Sequence, residues 1–391
     1  MFSFRTTSLL EQGDLTLHRG NIALLSNQSA WNPQTGEYLL EPLHKRYNLK
    51  KVFIPKGGLF SSISDSSHKE DYSTLKSQYP NVEFVQLFDN EGYILSFDAL
   101  AQLAQVDALI IEMQDMGVRY CPVTRSIYAL FSALKKADIE ISIYLIDRFN
   151  SSPRVVEGVP SKVDDIILGI PNKHGLTIGE IATLFHSELN AKFALHIISA
   201  NTQERVTMPW SIPISEDVCG LFTSNFYCGQ YLWNGTNISC GIGTTRPYER
   251  FGAPFLSQLI GYNSDNQYDS WNDPDNPISD PSLFIRWEQF IPHYGKYQNQ
   301  SCFGFQLLIN PSSDYHSYLH ALRVIKFLKE NVKEFEFNPL IRELIADSTI
   351  LSYLEGNSDL DIKEYVKTEE QKWIRKAKKY LLYDEQPYRI K

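Results

Sequence analysis

Carboxylates and cations gather at a few points of the chain, most of them directly after a short apolar run. In Ile110–Tyr120, IIEMQDMGVRY, the run ends and Glu112, Gln114, Asp115 and Arg119 follow at once. In Leu145–Pro160, LIDRFNSSPRVVEGVP, Asp147, Arg148 and Asn150 leave a second run, and Glu157 stands in a Gly/Pro turn. Carboxylates so placed suit general acid/base or nucleophilic work, Glu157 first and Asp115 and Asp147 behind it. Each also has a structural alternative. A charge at the end of a buried strand is costly unless paired, so Asp115 can brace its turn against Arg119, and Glu157 can cap a helix or pair with Arg154. Pro171–Glu180, PNKHGLTIGE, puts His174 and Gly175 just before a helix start, where backbone N–H groups can hold an oxyanion or polar ligand. A lone loop histidine is more commonly a structural hydrogen bonder. Asn234–Pro254, NGTNISCGIGTTRPYERFGAP, has no helical or strand period, as expected of backbone that lines a site or a domain interface. In it Arg246 can offer a bidentate fork to a carboxylate.

The loop VFIPKGGLFSSISDSSHKED, Val52–Asp71, follows an apolar run with Lys56, two glycines and a string of serines. Such a loop can cradle phosphate. Here, however, lysine precedes the glycines, the reverse of a P-loop, and no G-x-G-x-x-G follows the first strand. His316 and His320, at i and i+4 in HSYLH, have zinc-like spacing but neither the Glu of H-E-x-x-H nor a third ligand; they read as a surface or partly packed pair. Five scattered cysteines with no C-x-x-C pair fit neither a disulfide framework nor a structural zinc site. No metal or cofactor is expected. The net charge of −9 argues against a nucleic-acid partner, and no apolar run approaches the ~20 residues of a membrane span. The N-terminus does not read as a signal peptide, so a cytoplasmic chain is expected, or a periplasmic or secreted one if a leader was removed.

The elements that must position these residues follow from periodicity. Asn21–Asn27, Lys51–Pro55, Val82–Phe88, Asp107–Met113 and Ile141–Asp147 are short, β-branched and apolar on both faces, as parallel strands are. Between them lie SFDALAQLA, with a Ser N-cap, and SIYALFSALKKA, with an i, i+3, i+4, i+7 apolar stripe. Thr177 and Glu180 form a capping box ahead of TIGEIATLFHSEL, and FALHIIS reads as a further strand. This alternation predicts an α/β fold: a doubly wound, mostly parallel, Rossmann-like domain over residues 1–207, then a smaller C-terminal α/β (α+β) domain over 208–391. In the second, FIRWEQF and FGFQLLI read as strands, a helix is expected near Tyr315–Val332, and EEQKWIRKAKKYLLY as a helix whose charges suit its dipole.

From about Gly20 to KKYLLY the chain resembles the NamZ-type exo-β-N-acetylmuramidases, once a domain of unknown function. The matching stretches are ALLSNQSA, QDMGVRY, DRFN, VVEGVP, PNKHGLTIGEIATLF and GTNISCGIGTTRPYERFGAP. The resemblance implies a cleft between the two domains and removal of terminal N-acetylmuramic acid from peptidoglycan fragments, so a small sugar or muropeptide is the expected partner. It implies substrate contacts from Lys56, Gln114, Arg119, Arg148, Asn150, His174, Asn237, Thr244, Thr245, Arg246 and Glu249, with Arg246 or Arg119 suited to the lactyl carboxylate. The family's loop after the second strand reads P-E-H-G with a catalytic glutamate; here it is PKGG, so Lys56 and Gly57 replace Glu and His. Asn234 replaces a Glu, and Cys240 and Ile242 replace the Glu and Arg of S-E-G-R-G. Glycoside hydrolysis ordinarily uses two carboxyl groups roughly 5–10 Å apart, and a lysine cannot be a carboxylate nucleophile. Asp65, Glu70, Asp115 and Asp147 are the available substitutes. Three readings follow: hydrolysis on a rearranged carboxylate pair that includes Glu157, a pseudoenzyme that binds amino sugars without cleaving them, or hydrolysis of a different, phosphorylated sugar with Lys56 reading its anionic group.

Overall fold

Six apolar runs of four to six residues become the strands of one parallel sheet. In the computed structural model, the described residues are 20–32, 35–60, 71–89, 92–150, 154–163, 169–200, 215, 217–218, 220–261, 271–310, 314–383 and 389–390. Asp65, Glu70, Cys219 and residues 262–270 of the Asn/Asp/Pro loop lie outside them. The strands are β1 (Ile22–Ser26), β2 (Leu49–Ile54), β3 (Glu83–Gln86), β4 (Ala108–Glu112), β5 (Ser142–Ile146) and β6 (Ala194–Ile198). They lie in the order β3-β2-β1-β4-β5-β6, every neighbouring pair parallel. β1 and β4, at the centre, are buried along their whole length, whereas the edge strand β6 alternates exposed and half-buried positions before ending buried. Covering the central strands on both faces is what selects their unbroken Ile/Leu/Val/Ala runs.

The connections are helical: α1 (Leu40–Arg46), α2 (Ser73–Gln78), α3 (Phe97–Leu103), α4 (Pro122–Lys136) and α5 (Ile178–Glu188). Ser96 caps α3 by accepting from Ala99 N–H. α4 starts four residues before the periodic stretch suggests, because Pro122 occupies its first turn, where its missing N–H costs nothing. The capping box of α5 is complete: Glu180 N–H donates to Thr177 Oγ1 at 3.2 Å and Thr177 N–H to Glu180 Oε2 at 2.9 Å. The chain winds from β1 outward to β3, then returns to the other side of β1 and winds outward again through β4, β5 and β6. The topological switch point therefore falls between β1 and β4.

The chain forms two compact units that interleave. The first contains 1–153, 175–216 and 377–386; the second contains 154–174, 217–376 and 387–391. A single cut at 207/208 is thus replaced by several crossings: Arg154–His174, which carries Glu157 and His174, belongs to the second unit, and Ala377–Gln386 returns to the first. The second unit is α+β. Its antiparallel sheet has the order β7-β9-β8, from β7 (Arg250–Ala253), β8 (Leu283–Phe290) and β9 (Cys302–Ile309). Its helices are α6 (Leu221–Gln230), α7 (Ser317–Asn331), α8 (Leu340–Ile345), α9 (Ser348–Leu354) and α10 (Ile362–Ala377). α6 lies in a stretch that reads as aperiodic; it packs so closely on α7 that a Cβ at Gly229 would stand 2.0 Å from Ser317 O. Among the described residues, no helix is long and apolar enough to cross a membrane.

Thr177 does two things, capping α5 and donating its hydroxyl to Asp147 Oδ2 at 2.7 Å. Losing a cap and one donor to a buried anion costs about 2–3 kcal/mol together. Thr177→Ala is expected to lower the denaturant midpoint accordingly and Thr177→Ser to recover most of the loss, read by chemical unfolding at constant m-value.

Candidate active site

Ligands of open α/β sheets bind beyond the carboxyl ends of the strands at the switch point. At that place Ser26 and Glu112, the last residues of β1 and β4, stand opposite each other in register. Both are buried, and the chain continues from Ser26 into Asn27, Gln28 and Ser29, also buried. Ser26 Oγ, Asn27 Oδ1 and Ser29 Oγ have no hydrogen-bond partner among the described residues. Buried polar atoms are nearly always paired, so three orphaned oxygens within four residues, at the ligand edge of the sheet, make this the candidate site. Arg148 ties this loop to the end of β5, its Nη1 donating to Ser29 O at 2.7 Å.

The other residues expected from the sequence in this unit are largely engaged within the protein. Asp115 accepts from Gly117 N–H at 2.7 Å and from Thr124 Oγ1 at 2.8 Å, so it braces the turn into α4. Burial, followed by the nearby Asp115 charge, pushes the Cys121 thiol well up. Gln114 donates to Phe149 O at 2.8 Å, and Asn150 to Leu176 O at 2.7 Å. Gly117, at φ +75°, is the residue against which Asn150 lies; a Cβ there would meet Asn150 Nδ2 at 2.5 Å. Arg119 is buried to 2% exposure. Asp147 is fully enclosed and takes four donors: Arg148 N–H (2.8 Å) and Gly179 N–H (2.7 Å) on Oδ1, Thr177 Oγ1 (2.7 Å) and Tyr383 hydroxyl (2.8 Å) on Oδ2. Burial lifts its pKa to about 6 despite those donors.

Lys56 is exposed. Gly58 N–H bonds to Pro55 O at 3.2 Å, closing a four-residue turn with Lys56 and Gly57 at its centre. Gly57 has φ +98°, the left-handed conformation that a type II turn requires at its third position. A side chain at position 57 would be strained at that φ.

In the second unit, Glu157 is fully enclosed. Its carboxylate accepts from Ser317 Oγ at 2.7 Å and Tyr318 N–H at 3.1 Å, at the start of α7, and Lys173 Nζ lies 3.4 Å away. His316 bridges onward, with Nδ1 3.6 Å from Glu157 and Nε2 2.9 Å from Glu370, which also accepts from Gly158 N–H at 2.8 Å. The structure thus gives Glu157 the helix-capping task that its sequence context offered as the alternative to acid/base work, with Lys173 beside it. His316 and His320 are both buried and turned to different partners, His320 to Tyr315 and Ile278 O, so the pair is not on the surface. His174 is buried, and its carbonyl accepts from Trp373 Nε1 at 2.9 Å. Asn237 pairs with the backbone at Glu334 O and Glu336 N–H, and Thr244 closes a turn on Gly241 O. Thr245 and Arg246 are exposed, and Arg246 Nη1 meets Glu249 at 2.9 Å, with Thr223 Oγ1 on the other Glu249 oxygen at 2.6 Å. Two of the departures touch: Cys240 Sγ points at Asn234 Oδ1, 3.8 Å away. Burial pushes that thiol to about 11.

A doubly wound parallel sheet with unpartnered polar atoms at its switch point places this chain among the open α/β proteins, whose ligands bind at that edge. Two family profiles match the chain, "Exo-beta-N-acetylmuramidase NamZ, N-terminal" over residues 22–213 and its C-terminal counterpart over 225–383. A relative in Bacillus subtilis (strain 168), peptidoglycan beta-N-acetylmuramidase NamZ, is 29% identical over 298 residues, covering 72% of this chain and 68% of that one. Two crystal structures of DUF1343 family proteins from Bacteroides fragilis share the fold. One has a TM-score of 0.72 at 22% identity over 98% of this chain and 99% of that one. The other has a TM-score of 0.76 at 18% identity, covering 97% and 98%. The chain belongs to the NamZ exo-β-N-acetylmuramidase family.

In ALLSNQSA the sequence signal is a run of four polar residues, Ser26–Ser29, directly after the apolar Ile22–Leu25. Two measurements separate bracing from chemistry. Glu157→Gln leaves Lys173 buried beside a neutral amide and is expected to cost about 3 kcal/mol in unfolding experiments. Asp147 titrates higher in the fold than its ordinary 3.8, so its contribution to stability is full below about pH 4 and is lost as pH rises through about 6. Between those values Asp147→Asn is therefore expected to lose less stability with rising pH than the wild type, read from denaturant midpoints across the range.

Proposed function

We propose that this protein is an exo-acting glycoside hydrolase that removes terminal N-acetylmuramic acid from peptidoglycan fragments, with the amino sugar seated at the β1/β4 switch point of the first unit. The observation that carries this reading is family membership across both halves of the chain. The orphaned oxygens of Ser26, Asn27 and Ser29 support the location: Asn27 Oδ1 is an acceptor suited to an acetamido N–H, and a serine hydroxyl can either donate to or accept from a sugar hydroxyl. Glu112 is the carboxylate at this point of the sheet, in register with Ser26. In this reading it serves as acid/base for the glycosidic oxygen or the incoming water, a task that carboxyl groups perform in glycosidases.

A second reading is binding without cleavage. It is favoured by the neutral contact between Asn234 and Cys240, where the family keeps glutamates, and by Lys56 in the place of the family's catalytic glutamate.

A chromogenic β-N-acetylmuramide distinguishes them. The wild-type chain is expected to release the chromophore, and Glu112→Gln to lower kcat by about a hundredfold or more, measured under conditions where circular dichroism shows the variant folded. Turnover that survives Glu112→Gln removes Glu112 from the chemistry. Calorimetric binding of the sugar by a wild-type protein with no turnover establishes the second reading.

A further inference from the structure

Helix α7 begins on a residue that seldom caps helices. N-caps are usually Ser, Thr, Asp or Asn, whose side-chain oxygens accept from the first turn. Here the N-cap is His316, and its Nδ1 accepts from Leu319 N–H at 3.2 Å. A backbone N–H can only donate, so Nδ1 carries no proton in this arrangement. The ring's one N–H is then on Nε2, which meets Glu370 Oε1 at 2.9 Å. Unlike a hydroxyl or an amide, this cap can take up a proton near neutrality.

The surroundings of the ring suit both of its states. Nδ1 lies 3.6 Å from Glu157 Oε2, the oxygen that also accepts from Ser317 Oγ and Tyr318 N–H. The Arg154–His174 segment supplies Glu157, with Lys173 Nζ 3.4 Å from its other oxygen, and carries buried Arg154 as well. α10 supplies Glu370, its only buried charged residue. α6, which touches the start of α7 at Gly229, has only Tyr227 and Cys228 as titratable residues. Tyr315, next in the chain, gives its hydroxyl to His320 Nδ1 at 2.9 Å. Burial opposes a charge on the His316 ring, but Glu370 and Glu157 outweigh it and hold its pKa above the ordinary 6.5.

We infer that His316 is a proton-operated latch at the start of α7. Neutral, it caps the helix through Nδ1; protonated, it releases Leu319 N–H and bridges Glu157 to Glu370. The proton comes from solvent, to which the residue is 8% exposed, and settles on Nδ1. That nitrogen can then no longer accept from Leu319, and the acceptor within reach of its new N–H is Glu157 Oε2. Proton uptake thus exchanges a helix cap for a charged tie between the Arg154–His174 segment and α10, across the start of α7. The latch is independent of where a sugar binds.

The test is amide hydrogen exchange of Leu319 in the full chain, followed from about pH 5.5 to 8.5 and corrected for the intrinsic pH dependence of exchange. Its protection is expected to be about fivefold or more lower at the acid end, the worth of one lost hydrogen bond. His316→Asn offers a capping oxygen that takes no proton, and in it the protection is expected to stay level. Level protection in the wild type, or the same pH dependence in His316→Asn, overturns the latch. The imidazole nitrogen resonances of the wild-type chain decide the matter even where the variant does not fold. At the alkaline end Nδ1 is expected without a proton, and the Leu319 amide resonance is expected to shift with the midpoint of the ring. A proton on Nδ1 at that end, or a Leu319 resonance indifferent to the titration, overturns the latch as well.

Discussion

Asp147 is a carboxylate without solvent, and an anion so placed is tolerated only because four donors converge on it. Those donors come from its own chain turn, from the first turn of α5 and from Tyr383 near the C-terminus. One side chain therefore fixes where β5 ends, where α5 begins and where the tail returns. Glu180, the capping-box partner, repeats the device by accepting from Leu382 N–H at 2.8 Å. Because Asp147 holds the end of β5, the next residue, Arg148, is aimed at Ser29 O, and the β1 loop with its orphaned oxygens is held in turn. The loop after β1 and the end of β5 thus depend on one buried charge.

Asn234 and Cys240, both neutral, are in contact, with Cys240 Sγ 3.8 Å from Asn234 Oδ1. Gly57 permits a turn with φ +98° that brings Lys56 to the Tyr93 ring.

Much of the fold was legible because it is local. Every strand of the first sheet was visible as a short apolar run, and the capping box at Thr177 was visible as a pair of side chains three residues apart. The α6 helix was not, because LFTSNFYCGQ is chosen for close packing against α7, with Gly229 at the contact, and its stripe of apolar residues is broken. Membership of Arg154–His174 in the second unit was hidden for a similar reason: it is decided by long-range bonds such as Glu157 to Ser317, across 160 residues. The same bonds explain why Glu157 reads as an available acid in sequence and is a capped, ion-paired one in the fold. Of the site, the clusters after β4 and β5 were legible by residue type, but their tasks were not. Asp115 and Asp147 differ from Glu112 in which donors reach them, and donors are supplied by the fold. The polar residues after β1 went unassigned because nothing in their types distinguishes an unpaired serine or asparagine from a paired one.

The central claim is that an amino sugar sits at the carboxyl edge between β1 and β4, on the polar atoms that follow β1. A crystal structure of the chain soaked with N-acetylmuramic acid tests it most directly. The account predicts sugar density within hydrogen-bond distance of Asn27 Oδ1 and of at least one of Ser26 Oγ and Ser29 Oγ, with Glu112 facing the anomeric side. Density for the ordered sugar elsewhere, with those three oxygens still without a ligand contact, would contradict it.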